Sequence, residues 1–120
     1  MRKLVVILVT SLLLCGLCLA QSYSTYQGST GTKKAVFVLT WHTPSAQVTG
    51  YYYTKDRPSR RYDLTGQNYK DRQMVLKEIM DGEVTAMIRL TKSVKRGQIH
   101  WSGTMYNTDG RRVPVTMARL

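Results

Sequence analysis

Apolar and polar residues alternate along most of the chain from Lys34 onward, a pattern typical of β-strands. The alternation is clearest at Val84, Ala86, Ile88 and Leu90, which are separated by polar or methionine residues. Because successive side chains of a strand point to opposite faces of a sheet, this spacing predicts an apolar inner face. We expect seven short strands, within residues 34–41, 47–54, 60–66, 72–80, 83–91, 99–105 and 113–117.

Turn residues separate these segments. Asp81-Gly82 suits a type I′ hairpin turn, in which both central residues have positive φ. Residues 56–59 (Asp-Arg-Pro-Ser) also favour a turn. Tight turns between consecutive strands predict an all-β, antiparallel up-and-down meander. At this chain length the sheet hides its apolar face by closing into a small barrel or sandwich, and closure also removes exposed sheet edges.

One segment allows a second interpretation. In residues 69–82 (YKDRQMVLKEIMDG), Met74, Leu76 and Ile79 could also share one face of a helix. This ambiguity is common in short apolar segments, and helix and strand both stay open here.

The N-terminal residues resemble a secretory signal peptide. A basic start at Met1–Lys3 precedes an apolar segment over residues 4–17, and Ala20 offers a small residue for cleavage. We therefore predict an exported protein, periplasmic or secreted, with a flexible lead-in at residues 21–33 and a single domain at residues 34–120. Both cysteines, Cys15 and Cys18, lie in this leader, so a redox role is not expected. A lipid anchor on Cys18 is an alternative, although the preceding residue is Leu17 rather than a small residue.

The rest of the chain is basic. Two of the 18 Lys and Arg residues lie in the leader, which leaves 16 against seven Asp and Glu, a net charge of +9. A positive field of this size attracts polyanions without any specific site. An anionic polymer or an acidic protein surface is therefore the expected partner, and solvated surface charge is the alternative.

Tyrosine and arginine are concentrated around one predicted hairpin. Its strand carries Tyr51 and Tyr53 on one face, and its turn carries four cations. Aromatic faces flanked by guanidinium groups can bind sugar rings, bases or phosphate, although tyrosine is also common in strands with no binding role. A second hairpin adds an arginine pair. The candidate ligand-binding residues are Tyr51, Tyr53, Lys55, Arg57, Arg60, Arg61, Arg111 and Arg112.

These two hairpins share a sequence pattern. VTGYYYTKDRPSRRYDLT (48–65) is echoed by WSGTMYNTDGRRVPVT (101–116). A glycine inside a strand indicates a sharp bend or a close backbone approach, as barrel corners require. The matched residues are Gly50 with Gly103, Tyr53 with Tyr106, Arg60-Arg61 with Arg111-Arg112, and Thr65 with Thr116.

The succession VTGYYY, YDLTG, LKEIMDG and IHWSGTM resembles small exported bacterial β-barrel domains of lipocalin- or avidin-like shape. The resemblance covers residues 34–119 and implies a fold and a compartment, because its motifs are structural. The inner positions of this chain are mostly Val, Leu, Ile, Met and Trp, so they predict a filled core as readily as a ligand cavity.

The sequence offers little for catalysis. It has no nucleophile motif, no phosphate-binding glycine loop and no paired carboxylates at a recognisable spacing. His42 and His100 have no companions at metal-ligand spacing, so no metal and no cofactor are expected. Glu78 falls on an inner position near a barrel mouth and would need a partner such as an arginine or backbone donors.

Three functions are thus open. The first is a monomeric, non-enzymatic binding module that engages an anionic partner through the tyrosine- and arginine-rich hairpin. The second is a lipocalin-like carrier with a small apolar ligand inside the barrel. A cavity above ~300 Å³ lined by Tyr52, Trp101 and Met105 would support this function. The third is an enzyme whose site has no recognisable motif.

Overall fold

The computed structural model describes residues 20–70 and 72–120, which form one closed antiparallel barrel. Each strand pairs with the next along the chain, and the first pairs with the last. The predicted all-β up-and-down barrel is confirmed, with eight strands instead of seven. They are β1 (Ala20–Thr30), β2 (Lys33–Thr43), β3 (Gln47–Thr54), β4 (Tyr62–Tyr69), β5 (Gln73–Met80), β6 (Glu83–Lys95), β7 (Gln98–Asn107) and β8 (Arg112–Arg119).

The additional strand is β1, in the segment expected to be a flexible lead-in. That expectation was wrong: residues 20–30 pair with β2 along eleven positions and with β8 along five. The segment lacks apolar alternation because Tyr26 is its only buried residue. Its order comes from backbone hydrogen bonds to the strands on both sides, which a polar sequence can form as well as an apolar one.

The signal-peptide prediction concerns residues 1–20. Residues 1–19, including Cys15 and Cys18, lie outside the described residues, so the leader and the lipid-anchor alternative both stay predictions. Within the described ranges the structure contains no helix long and apolar enough to cross a membrane. The segment with two possible interpretations contains the strand β5 and no helix.

The predicted inner positions form a packed core in the middle of the barrel. Fully buried apolar side chains come from five of the eight strands and meet at its centre, so burial of the inner face supplies the main stabilisation. The largest of them are Phe37, Leu39, Val48, Met74, Leu76, Ile88, Val115 and Met117. Of the two possibilities left open by the sequence, a filled core is the one found at the centre of the barrel.

Val84 departs from the predicted pattern. Glu78 pairs with Ala86 whereas its neighbour Ile79 pairs with Val84, so the register shifts and Thr85 is the extra residue of a β-bulge. Such a bulge reverses the side-chain phase beyond it. Val84, expected inside, is 47% exposed, and the Thr85 hydroxyl, expected outside, bonds to Glu78.

The two glycines matched between the hairpins lie where neighbouring strands come close together. A Cβ atom on Gly50 would lie 2.0 Å from the carbonyl oxygen of Val38, and one on Gly103 would lie 1.8 Å from that of Arg89. No side chain fits at such a distance, so the predicted close backbone approach is present at both positions.

The barrel has two ends that differ in sequence. The tyrosine end is formed by the loops at residues 31–32, 55–61, 81–82 and 108–111. The tryptophan end is formed by residues 44–46 and 96–97, by the β4–β5 connection, and by the start of β1 and the end of β8. Each end has an opening bounded by side chains of several strands.

Candidate binding sites at the two ends of the barrel

All eight predicted ligand-binding residues lie at or near the tyrosine end, but they do not form one concave site. Tyr51 and Tyr53 are half-buried on the outer face of β3, and the cations of the 55–61 loop are exposed beside them. Arg111 and Arg112 belong to the β7–β8 hairpin, four strands further around the barrel. The two predicted hairpins therefore occupy opposite walls of the same end.

Arginine side chains lie over tyrosine rings on both walls. The guanidinium carbon of Arg61 is 4.3 Å from the ring centre of Tyr51, and that of Arg112 is 5.5 Å from the ring centre of Tyr106. The sequence echo matched Tyr106 with Tyr53, but Tyr51 is the residue in the corresponding contact. Cation–π attraction restrains the arginine while the N–H groups at its edge stay available for hydrogen bonding.

Two tyrosines in these contacts were not among the candidates. Tyr62 lies under Arg60, with the guanidinium carbon 5.5 Å from its ring centre, and Tyr106 pairs directly with Arg112 across the β7–β8 ladder. Tyr62 is close to Arg60 in the sequence, and Tyr106 is separated from Arg112 only by the tight turn at residues 108–111. This proximity could have identified both tyrosines.

Carboxylates neutralise some cations of the tyrosine end. Lys33 Nζ lies 3.4 Å from Asp56, and Arg111 Nε lies 2.8 Å from Asp109. The backbone N–H of Arg111 and then its guanidinium hold the pKa of Asp109 below the ordinary value. Arg57, Arg60 and Arg61 have no carboxylate partner within residues 20–70 and 72–120. The free positive charge of this end is thus concentrated on the β3–β4 hairpin.

Inside the mouth of the tyrosine end, Glu78 is only 6% exposed. It accepts hydrogen bonds from the Tyr52 hydroxyl and, at 2.8 Å, from the Thr85 hydroxyl. Its inward position agrees with expectation, but its partners are two hydroxyl groups instead of an arginine or backbone donors. Burial, followed by the bond to Glu78, raises the pKa of Tyr52 far above its ordinary value.

The mouth of the tryptophan end encloses a cavity of about 230 Å³. Trp41 and Trp101 stack along one side of it, with ring centres 5.9 Å apart and planes 25° apart. Polar and charged side chains complete the wall. Its lining includes Tyr26, Trp41, Lys92, Ile99, Trp101 and Arg119.

His42 has structural surroundings. Nδ1 of His42 accepts from the Gln21 amide at 3.3 Å, so its Nε2–H donates to the Thr49 hydroxyl at 2.9 Å. In the part of the chain that the structure describes, no three His, Cys, Asp or Glu side chains are grouped so that they could hold a metal ion.

No single cavity brings together Tyr52, Met105 and Trp101. Tyr52 and Met105 line an opening of about 390 Å³ at the tyrosine end, whereas Trp101 lines the smaller cavity at the opposite end.

No protein-family model matches this chain, and no curated protein matches it.

Proposed function

We propose that this protein is an exported, non-enzymatic binding module that engages an anionic polymer through the β3–β4 hairpin. The observation that carries the proposal is the arrangement of Arg60 and Arg61 over tyrosine rings, at 5.5 and 4.3 Å, on an exposed loop. Lys55 and Arg57 belong to the same loop, residues 55–61, which is therefore a basic patch of the chain with four cations. A polymer with regularly spaced sulfate or phosphate groups matches such a patch, because its charges contact several cations at once.

The tyrosines give this surface more than charge. Arg61 is held against Tyr51, so less side-chain entropy is lost when the guanidinium binds an anion. The ring of Tyr51 is half-buried, and its exposed part offers apolar surface for a sugar or a base. This combination supports a preference for polymers with ring-shaped units over simple inorganic anions.

The proposal is tested by retention on a heparin column across a salt gradient. The hairpin variant carries Arg57→Gln, Arg60→Gln and Arg61→Gln, and a control variant of equal net charge carries Lys70→Gln, Lys95→Gln and Arg96→Gln at the tryptophan end. We expect the hairpin variant to elute at clearly lower salt and the control to elute close to the unmodified protein. Equal shifts for both variants would show that only net charge matters and would refute the proposal.

The alternative of an apolar ligand inside the barrel has weaker support. Fully buried side chains such as Leu39, Leu76 and Ile88 fill the centre, and the two openings lie at opposite ends. The opening beside Tyr52 also contains the carboxylate of Glu78, which is unfavourable for an apolar ligand.

A further inference from the structure

Among residues 20–70 and 72–120, the two ends of the barrel differ in charge; Asp71, which follows β4 in sequence, lies outside these residues. All six described acidic residues lie in the loops of the tyrosine end or within three positions of them. They are Asp56, Asp63, Glu78, Asp81, Glu83 and Asp109. Of the described residues at the tryptophan end, by contrast, the charged ones are all cationic: Lys70, Arg72, Lys92, Lys95, Arg96 and Arg119.

Three of these cations lie near the rim of the cavity: Lys92 and Arg119 on the inner phase of β6 and β8, and Arg72 directly before β5. Lys92 and Arg119 line the cavity itself. Arg72 lies opposite Lys92, and its carbonyl oxygen accepts the Lys92 N–H at 2.8 Å. None of the three forms an ion pair with a described residue. Like charges gathered at one opening repel each other, and a bound anion would relieve that repulsion.

The wall of the same cavity contains an unused hydrogen-bond donor. Trp101 is only 2% exposed, and its indole N–H has no acceptor within hydrogen-bond geometry among the described residues. It is close enough to the Tyr26 hydroxyl to lower the Tyr26 pKa, although burial has the larger effect and raises that pKa overall. A buried N–H without an acceptor is unfavourable, so such groups are rare unless a ligand or water satisfies them.

The cavity also has a flat apolar side. The stacked rings of Trp41 and Trp101 provide it, and Ile99 adjoins them. Its volume of about 230 Å³ is below the range of about 300–1,000 Å³ that drug-sized ligands occupy, so only a small molecule fits.

We propose that the tryptophan end binds a small organic anion with a flat apolar body, such as an aromatic carboxylate. The body lies against the indole rings, the anionic group lies between Lys92 and Arg119, and the Trp101 N–H donates to an oxygen of the ligand. This site is independent of the polymer-binding hairpin, which lies at the other end of the barrel.

The protein provides its own probe for this site, because its only two tryptophans, Trp41 and Trp101, both line the cavity. The experiment titrates 3-phenylpropionate, and separately the uncharged 3-phenylpropanamide, while the tryptophan fluorescence is recorded. We expect a saturable change with the acid and at least tenfold weaker binding of the amide. Equal binding of both compounds, or no saturable change with either, would overturn the proposal.

Variants locate the anionic group. Lys92→Gln and Arg119→Gln should each weaken binding of 3-phenylpropionate about tenfold, whereas Lys95→Gln, which removes a cation of the same end outside the cavity wall, should leave it within twofold. Trp101→Phe keeps an aromatic ring and removes the N–H, and should weaken binding of the acid about fivefold when followed by Trp41 fluorescence.

The unfolding temperature of each variant is measured alongside to verify folding. If Lys95→Gln weakened binding of 3-phenylpropionate as much as Lys92→Gln, the binding would depend only on general electrostatic attraction. The proposed site would then be rejected. The hairpin variant with Arg57→Gln, Arg60→Gln and Arg61→Gln should bind 3-phenylpropionate normally. The outcome at one end of the barrel is therefore distinguishable from that at the other.

Discussion

The hydroxyl of Tyr52 on β3 donates a hydrogen bond to the carboxylate of Glu78 on β5, inside the mouth of the barrel. The two strands are not neighbours, because β4 lies between them. The bond therefore connects the wall of the barrel across its interior. It also satisfies a carboxylate that burial would otherwise make unfavourable.

Removing that hydroxyl should destabilise the protein. Tyr52→Phe keeps the ring that stacks on Tyr62, with centres 4.7 Å apart, but leaves the buried carboxylate with one donor fewer. We expect the free energy of unfolding to fall by about 1–3 kcal/mol, measured by urea denaturation. Tyr62→Phe is the matched control and should change it by less than about 0.5 kcal/mol. A Tyr52→Phe variant as stable as the control would show that this hydrogen bond contributes nothing to stability.

The same bond predicts a loss of stability at alkaline pH. The pKa of Tyr52 is raised above its ordinary value of 10.0, so above pH 10 the unfolded chain releases a proton that the folded chain keeps. The stabilising contribution is complete below pH 10 and should decrease by about 1.4 kcal/mol per pH unit above it. Tyr26, whose pKa burial also raises, acts in the same direction. Unfolding free energies measured between pH 8 and 11 should therefore decline less steeply in Tyr52→Phe, and an unchanged slope would contradict this assignment.

The close strand approach at Gly103 makes a further prediction. Gly103→Ala would place a methyl group 1.8 Å from the Arg89 carbonyl oxygen, so the strands must separate. We expect a loss of at least about 3 kcal/mol in unfolding free energy, or no folded protein. Gly97→Ala, in open space but at a φ of 78°, should lose only about 1–2 kcal/mol. Similar losses in both variants would mean that the approach at Gly103 is not tight.

The sequence pattern predicts that Val84 and Ile88 both face inward, but the β-bulge at Thr85 lies between them and only Ile88 is buried. Ile88→Ala removes a fully buried side chain and should reduce the unfolding free energy by about 2–5 kcal/mol. Val84→Ala changes an exposed one and should alter it by less than about 0.5 kcal/mol. Thermal unfolding of the two variants makes the comparison, and a large effect of Val84→Ala would place that residue in the core.

Local alternation predicted the seven strands of residues 34–120 because each carries enough inward apolar residues to show its period. It missed β1, where serine, threonine, glutamine and glycine surround the one buried residue, Tyr26. It also placed Val84 inside, because a one-residue bulge depends on the partner strand and leaves no signal in the residues themselves.

The two candidate sites also differ in how far apart their residues lie in the sequence. The arginines and tyrosines of the β3–β4 hairpin are close in sequence, so their association was predictable. The cavity at the tryptophan end combines Tyr26, Trp41, Lys92, Trp101 and Arg119 from five strands. Only the closure of β1 onto β8 brings the first and last of these together, and no pattern within a short segment contains that information.

Pairing of β1 with β8 also determines how this protein can be attached to a surface. Because the two strands run antiparallel, the start of the first and the end of the last both lie at the tryptophan end, where Arg119 pairs with Tyr26. A bead or sensor chip coupled through either of them would stand next to the indole rings and obstruct that cavity. The arginine-bearing loops would project away from the support, so immobilised protein suits measurements with polymers, whereas small anions call for protein free in solution.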